Sequence, residues 1–240
     1  MTSTSNPNLI LIHECLSSSE YAVYFKHLEV VKWLFGDLSF IEGKTMEEKK
    51  IAEDAWGRKL TNKLKDWSGP FSENLVREFL QISGKIARKP KTIVGRKKYN
   101  LDLETDDFIY EIKSQTYYTT GTAGEKIMGS QFKYAEVPQL VNKPLIIIVA
   151  ACAEKRSEEY GIFPENSCPE QQKIIKMYES MNNRFERFTH MIEKYVNERW
   201  CFTQNSNILT SSSLMGCEQE LPLLSIPDSL NLSADDIQQV

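Results

Sequence analysis

The sequence predicts a mixed α/β protein, α+β-like, in which a mixed β-sheet is flanked by helices. Three observations carry that expectation. The N-terminal third spaces its apolar residues at helical intervals; Tyr99–Gln115 (YNLDLETDDFIYEIKSQ) alternates on both sides of an acidic turn; and the longest apolar run, Pro144–Cys152, has the length of a buried strand. A helix-length stretch separates the last two, so a parallel crossover should join them beside an antiparallel hairpin.

Composition narrows the class. With 240 residues, 41% hydrophobic and 26% charged, the chain can bury the core of one ordinary globular domain. It has no run of eighteen apolar residues to cross a membrane. The opening MTSTSNPNLILIHECL lacks a charged n-region and its apolar run is too short for a signal peptide, so a cytoplasmic location is expected. Five cysteines, odd in number and without metal-type spacing, read as reduced thiols. A net charge of -4 argues against a general nucleic-acid coat protein but leaves room for a local basic groove beside an acidic site.

In chain order, Ser17–Phe35 opens with a capping box (Ser17 to Glu20) and places Tyr21, Tyr24, Phe25, Leu28, Val31 and Phe35 at helical spacing. A second helix should start at Thr45, capped by Glu48, and run through Trp56 and Leu64 to a stop at Gly69-Pro70. A third, Phe71–Ser83, ends at Gly84, and its Glu73 shares a stripe with Val76 and Leu80 that points it at the core edge. Lys85–Lys98 carries seven basic residues and no acidic one; a solvated connection and a phosphate-facing surface both account for it. After the hairpin, a hydroxyl-rich loop leads to a capping box at Thr122/Glu125 and a helix to about Leu140. Glu170–Arg199 reads as one long helix whose stripe (Ile174, Tyr178, Met181, Phe185, Phe188, Ile192, Tyr195) suits core packing or a dimer interface. His190 lies off the stripe and reads as a surface residue, and the segment from Thr203 on reads as an irregular extension.

The hairpin carries the chemistry. Strand alternation puts Glu111 and Lys113 on one face, and a turn centred between Asp106 and Asp107 sets Asp102 directly opposite Glu111. Two carboxylates and an ammonium on a few ångströms of sheet are costly unless a cation or phosphate fills the gap. A slip of one residue would bring Glu104 forward in place of Asp102. Three other Glu-x-Lys matches (Glu42/Lys44, Glu47/Lys49, Glu48/Lys50) fall in a loop or helix; only Glu111-Ile112-Lys113 lies in a strand with an acid on its paired neighbour. The bland alternative is a surface ion pair worth well under ~1 kcal/mol.

These residues resemble the PD-(D/E)xK nuclease superfamily, and within it the type II restriction endonucleases. The pattern reads Leu101-Asp102 … Glu111-Ile112-Lys113, with Leu101 where the family often has proline; WSGPFSENLVREFL and IYEIKSQTYYTTGTAGEKI … PLIIIVA are similar to the family's early helix and its strand-loop-helix-strand continuation. The resemblance covers about Trp67 to Ala153. It implies a restriction-endonuclease-like sheet and a single nuclease domain over 1–240: helices over 1–84, a catalytic sheet core over 85–153, and a C-terminal helix and extension over 154–240. It implies Mg²⁺, with Mn²⁺ as a substitute, held by Asp102, Glu111, the Ile112 carbonyl and Glu73, with Glu78 as the rival of Glu73. Lys113 would serve the attacking water. Gln115, Ser114, Tyr117, Thr119, Thr122, Lys97 and Lys98 are candidate contacts to double-stranded DNA. Two-fold symmetry of a palindromic site implies a homodimer. A repair or junction-cleaving nuclease of the same fold and a non-catalytic DNA-binding protein are the alternatives.

Overall fold

Helices come first. The computed structural model describes residues 7–41, 43–61, 67–118 and 123–199, and opens with α1 (Pro7–Ser17), α2 (Leu28–Leu34), α3 (Met46–Thr61) and α4 (Gly69–Ile82). The single helix expected over Ser17–Phe35 does not form. Its serines turn their hydroxyls on the local backbone, Ser18 Oγ donating to the Cys15 carbonyl at 2.8 Å. The carboxylate of Glu78 then takes the N–H groups of Val23, Tyr24 and Phe25, the donors a helix would need. The cap of α3 is as read: Thr45 N–H donates to Glu48 Oε2 at 2.6 Å and Glu48 N–H to Thr45 Oγ1 at 3.2 Å. Whether that helix continues through Leu64 lies outside the described residues. Gly84, at φ 77°, takes up the left-handed conformation that stops α4.

The basic stretch, read as a solvated connection or a phosphate-facing surface, holds a small hairpin, β1 (Ile93–Val94) with β2 (Lys98–Tyr99). Glu136 fastens it to the body, accepting from Arg96 N–H at 2.9 Å and Tyr99 Oη at 2.5 Å. The main sheet comprises β3 (Leu103–Glu104), β4 (Ile109–Gln115), β5 (Leu145–Ala151) and β6 (Asn183–Arg187), in the order β3-β4-β5-β6. β3 and β4 are antiparallel with Leu103 opposite Tyr110 and Glu104 opposite Ile109; β4, β5 and β6 are parallel. The sheet is therefore mixed. The register is the one the acidic turn predicts, and the one-residue slip that would bring Glu104 forward is not adopted. Glu104 is instead tied to Arg88, whose Nε lies 2.7 Å from its carboxylate.

Between β4 and β5 the expected helix to Leu140 is two, α5 (Ala123–Lys133) and α6 (Val137–Val141). Pro138, in the first turn of α6, has no N–H to give the Tyr134 carbonyl, so the ladder breaks there. The Thr122 cap lies outside the described residues. β5 leads into α7 (Cys152–Glu159) and, after a short 3₁₀ turn, α8 (Pro169–Ser180). The long helix expected over Glu170–Arg199 is overturned. It stops at Met181, turns on Asn182 at φ 57°, yields β6, and resumes as a helix over 188–199, here α9. The reason is tertiary: every residue of β5 is buried, and β6 supplies hydrogen-bond partners for a buried strand whose outer edge would otherwise be orphaned. The stripe divides accordingly. Phe188 and Ile192 of α9 are wholly buried, whereas Ile174 of α8 is 54% exposed. His190 is exposed, as read.

Two helical layers cover the sheet. α1, α2, α4 and α9 pack on the face carrying Leu103, Tyr110, Ile112, Ile146 and Ile148; α5, α6 and α7 cover the face carrying Ile109, Leu145, Ile147 and Val149. No helix among the described residues is long and apolar enough to cross a membrane. The described residues lie within one compact unit, Met1–Trp200, and the segment from Thr203 on lies outside them.

One joint in this packing should respond to pH. Glu154 of α7 accepts hydrogen bonds from the hydroxyl and the N–H of Thr189 in α9, and burial pushes its carboxyl up to about 7. The folded state therefore holds a proton that the unfolded chain releases near pH ~4.3. Stability is full below that value and falls as pH rises through about 7. Thermal melts across that window should show a declining Tm, and Glu154→Gln should flatten the decline; an unchanged slope in the variant would remove Glu154 as its source.

Candidate active site

The site lies where β3 gives out. β3 pairs with β4 only through Leu103 and Glu104, so beyond Tyr110 the outer edge of β4 has no strand beside it among the described residues. Asp102 takes that place with its side chain: Ile112 N–H donates to Asp102 Oδ2 at 2.7 Å, while Asp102 N–H donates to the Tyr110 carbonyl at 3.0 Å. The Ile112 carbonyl, on the same side of the strand as its N–H, faces this open edge too.

Glu111 stands opposite Asp102 and is only 4% exposed. Its two oxygens have different surroundings. Oε1 accepts from the Lys113 ammonium and, at 3.0 Å, from the Tyr134 hydroxyl. Oε2 is buried and has no hydrogen-bond partner among the described residues. Burial, and after it the charge of Asp102, push the Glu111 carboxyl above its usual range. Glu73 of α4 is drawn into the same field: burial raises its carboxyl first, Asp102 next, with Glu111 adding to the effect. Lys89 approaches from the basic stretch, its Nζ 3.8 Å from Asp102 Oδ1. α5 brings Lys133, whose Nζ lies 2.6 Å from the Tyr134 hydroxyl and so turns that phenol's own proton toward Glu111. Lys133, Tyr134, Glu111 and Lys113 form one chain of charge-assisted hydrogen bonds.

No family model, curated protein or solved structure matches the chain. What the site can do must come from its own chemistry. Carboxylate and carbonyl oxygens suit a hard divalent cation, and Mg²⁺ characteristically uses one or two protein carboxylates while keeping waters for its other positions. Asp102, the orphaned Oε2 of Glu111 and the Ile112 carbonyl fit that description. Among the described residues no three His, Cys, Asp or Glu side chains converge closely enough to hold a metal ion by themselves, and Glu73 stays within electrostatic reach without closing the set.

The structure separates the two rival acids of α4. Glu73 faces the hairpin carboxylates, whereas Glu78 spends both oxygens on the backbone of Val23–Phe25 on the opposite stripe. Among the candidate DNA contacts, Gln115 is half-buried at the end of β4, and Ser114 faces the other side, its Oγ 3.4 Å from the Ser68 carbonyl. Tyr117 does not join the carboxylates: its N–H donates to Glu53 at 3.0 Å and its ring packs edge-on to Trp33. Thr119 and Thr122 lie outside the described residues. Lys97 and Lys98 are exposed on the β1–β2 hairpin, the Lys97 ammonium 5.4 Å from the Tyr99 ring centre.

Sequence reasoning missed four contributors. Tyr134, Lys133 and Lys89 reach the site from elements whose docking no local pattern encodes. Tyr134 had the best signal, since Ile127, Gln131 and Tyr134 share a helical stripe on the crossover that must cover Glu111's face. The fourth, Glu53, is 1% exposed and accepts from Trp33 Nε1 and from the N–H groups of Tyr117 and Tyr118. It anchors the loop that leaves β4 just beyond Lys113.

Proposed function

We propose that the chain is a Mg²⁺-dependent endonuclease that hydrolyses double-stranded DNA at a specific sequence, in the manner of type II restriction enzymes and on a restriction-endonuclease-like sheet. Mn²⁺ would substitute for Mg²⁺, and the active species would be a homodimer. One observation carries this reading: a buried carboxylate, one of whose oxygens has no partner among the described residues, lies in the field of a second carboxylate at an open strand edge, with a lysine two residues further along the same face. A structural ion pair has no need of that arrangement, because leaving a buried oxygen without a partner costs roughly 1–3 kcal/mol.

Bound between Asp102, Glu111 and the Ile112 carbonyl, the cation would supply Lewis-acid stabilisation of the pentacoordinate phosphate and lower the pKa of its water. The chain's own residues do the rest. Asp102 is fixed through Oδ2 by Ile112 N–H and Glu111 through Oε1 by Tyr134, which leaves Asp102 Oδ1 and Glu111 Oε2 as the oxygens that would take the cation. Lys113 has three donors and one carboxylate partner, so its ammonium can hold a phosphate oxygen and orient the attacking water. Lys89, with 58% of its side chain exposed, is placed to meet the DNA backbone as it approaches Asp102.

The test is a digest. Purified protein incubated with plasmids of known sequence and Mg²⁺ should produce a few discrete fragments whose ends share one short motif, and chelation should stop the reaction. Smeared or structure-dependent products would indicate a repair or junction-cleaving enzyme. Duplex binding without cleavage under any divalent cation would sink the catalytic reading.

A further inference from the structure

We infer that the β1–β2 hairpin is the arm with which this chain reads duplex DNA, Lys97 and Lys98 holding phosphates on the walls of the major groove and Arg96 at the tip reading a base edge inside it. The inference rests on the nuclease reading for its substrate and adds the element that selects the sequence. The basic stretch divides by where its side chains go. Lys85 turns to the Phe108 ring, Arg88 to Glu104 and Asp106, and Lys89 to Asp102. The other four of its seven basic residues, Lys91, Arg96, Lys97 and Lys98, are exposed on or beside the hairpin. Among the described residues no carboxylate pairs with Lys91, Lys97 or Lys98. Arg96 keeps 91% of its side chain in solvent, with Glu136 Oε2 3.5 Å from its Nε. An ion pair so exposed contributes little, and the guanidinium is available to a ligand.

A hairpin of two-residue strands is not stable alone in water, and this one is built onto the candidate site. Ile93 faces Tyr99 across the ladder and both turn inward, Tyr99 being buried; Val94 faces Lys98 and both turn outward, Val94 being 70% exposed. Glu136 accepts from the Arg96 N–H and the Tyr99 hydroxyl, and it comes that close because residue 95 is glycine: a Cβ there would lie 2.6 Å from Glu136 Oε1. The Tyr99 ring packs on the Tyr134 ring, centroids 5.9 Å apart, and the Tyr134 hydroxyl donates to Glu111. Lys89, a few residues before β1, reaches Asp102. The hairpin is thus tied to both hairpin carboxylates of the main sheet, so a duplex seated on it is positioned against Asp102 and Glu111. A solvated connection has no need of that fastening.

The dimensions favour a groove of B-form DNA. Its major groove is about 12 Å wide and admits a two-stranded ribbon. Arg96 lies three residues from Tyr99, so at strand rise the tip stands roughly 10 Å beyond the anchor. The guanidinium fork matches the O6 and N7 acceptors of guanine, and the outward methyls of Val94 suit the methyl group of thymine. The major groove of an RNA duplex is too narrow to take such a ribbon.

The test is binding by the full chain with a chelator present, which no cleavage enters. Fluorescence anisotropy with a labelled DNA duplex over a series of salt concentrations gives the slope of log K against log[salt]. Lys97→Gln with Lys98→Gln should flatten that slope by about 2, the loss of two phosphate contacts. Arg96→Lys keeps the charge and should leave the slope in place. Sequencing the duplexes retained from a randomised pool should return one short motif for the wild type, and Arg96→Lys should relax it about tenfold or more at one base pair. An RNA duplex should compete poorly. All three positions are exposed, and circular dichroism checks that each variant is folded. A chain that does not bind the duplex, a slope unmoved by the lysine changes, a motif absent or unmoved by Arg96→Lys, or equal competition by RNA overturns the inference. Cleavage is scored separately: a protein that binds as stated and never cuts keeps the hairpin and loses the nuclease, and one that cuts with slope and motif unmoved keeps the nuclease and loses the hairpin.

Discussion

Glu111→Gln should abolish Mg²⁺-dependent cleavage of duplex DNA and, in the same molecule, make the protein harder to unfold. The two effects have one cause. The amide keeps an acceptor for the Lys113 ammonium and the Tyr134 hydroxyl on the Oε1 side, so the hydrogen-bond chain survives. It removes the negative charge from a buried group whose carboxyl is pushed up by burial and by Asp102. Because that carboxyl is raised in the folded state, its ionisation weakens folding as pH climbs past the unfolded value; the neutral isostere carries no such penalty. We expect cleavage to fall at least about a thousand-fold, the scale of losing a preorganised charge at a phosphoryl site. Unfolding free energy at neutral pH should rise by about 1 kcal/mol. Single-turnover cleavage and urea titration measure the pair. A variant that still cuts, or one that is both inactive and less stable, contradicts the assignment, the second because it would show Glu111 acting as a structural ion-pair partner.

Lys113→Ala tests the same site from the other charge. It removes the ammonium that would hold water and phosphate, yet leaves both carboxylates, so cleavage should be lost while binding of a divalent cation persists. It should also lower stability, because Glu111 Oε1 would keep only the Tyr134 hydroxyl. The opposite signs of the two stability changes at equal loss of activity are the signature of a site built around excess negative charge.

The hairpin could be read from sequence because its determinants are local. Alternation fixes the faces, and two aspartates between the strands fix the register, so Asp102 falls opposite Glu111 by counting. β5 was equally plain, being apolar at every position, and its parallel pairing followed from the length of the crossover. β6 was hidden because Phe185 continues the helical stripe that runs from Ile174 to Tyr195. Only the need of β5 for a second neighbour marks Asn183–Arg187 as a strand, and that need is tertiary. The division between Glu73 and Glu78 was hidden for a related reason. Both sit on amphipathic stripes of α4, and which stripe meets the hairpin depends on how α1 and α2 fold back, a path that Glu78 itself sets. The loop contacts proposed for Tyr117 rested on residue type alone, whereas the structure gives its backbone to Glu53 and its ring to Trp33.

That role makes Glu78 the residue whose loss should cost the fold most. It is 4% exposed, and its carboxylate accepts from Val23 N–H at 2.8 Å, Tyr24 N–H at 3.0 Å and Phe25 N–H at 2.8 Å. Those three donors belong to the turn that breaks the expected helix and lets α2 place Val30, Val31, Trp33 and Leu34 in the core beside α4. Burial pushes the carboxyl up, and the three N–H groups oppose that shift, which is the balance expected where a buried charge is tolerated for its partners. Glu78→Ala removes the acceptor and leaves three backbone donors in or at the edge of the core. At roughly 1–3 kcal/mol for each stranded donor, less what water entering the vacated space restores, the expected loss is about 3–5 kcal/mol. That is a large share of the roughly 5–15 kcal/mol typical of a domain. Glu78→Gln keeps one acceptor oxygen and should lose only about 1–2 kcal/mol. Glu73→Gln, one turn earlier on the other stripe, should lose nothing measurable in stability, because its carboxyl is raised by burial and by neighbours of like charge. Urea unfolding of the three variants gives the ranking directly, and a Glu78→Ala protein within about 1 kcal/mol of wild type would mean that this turn is held by its side-chain packing instead of by the carboxylate.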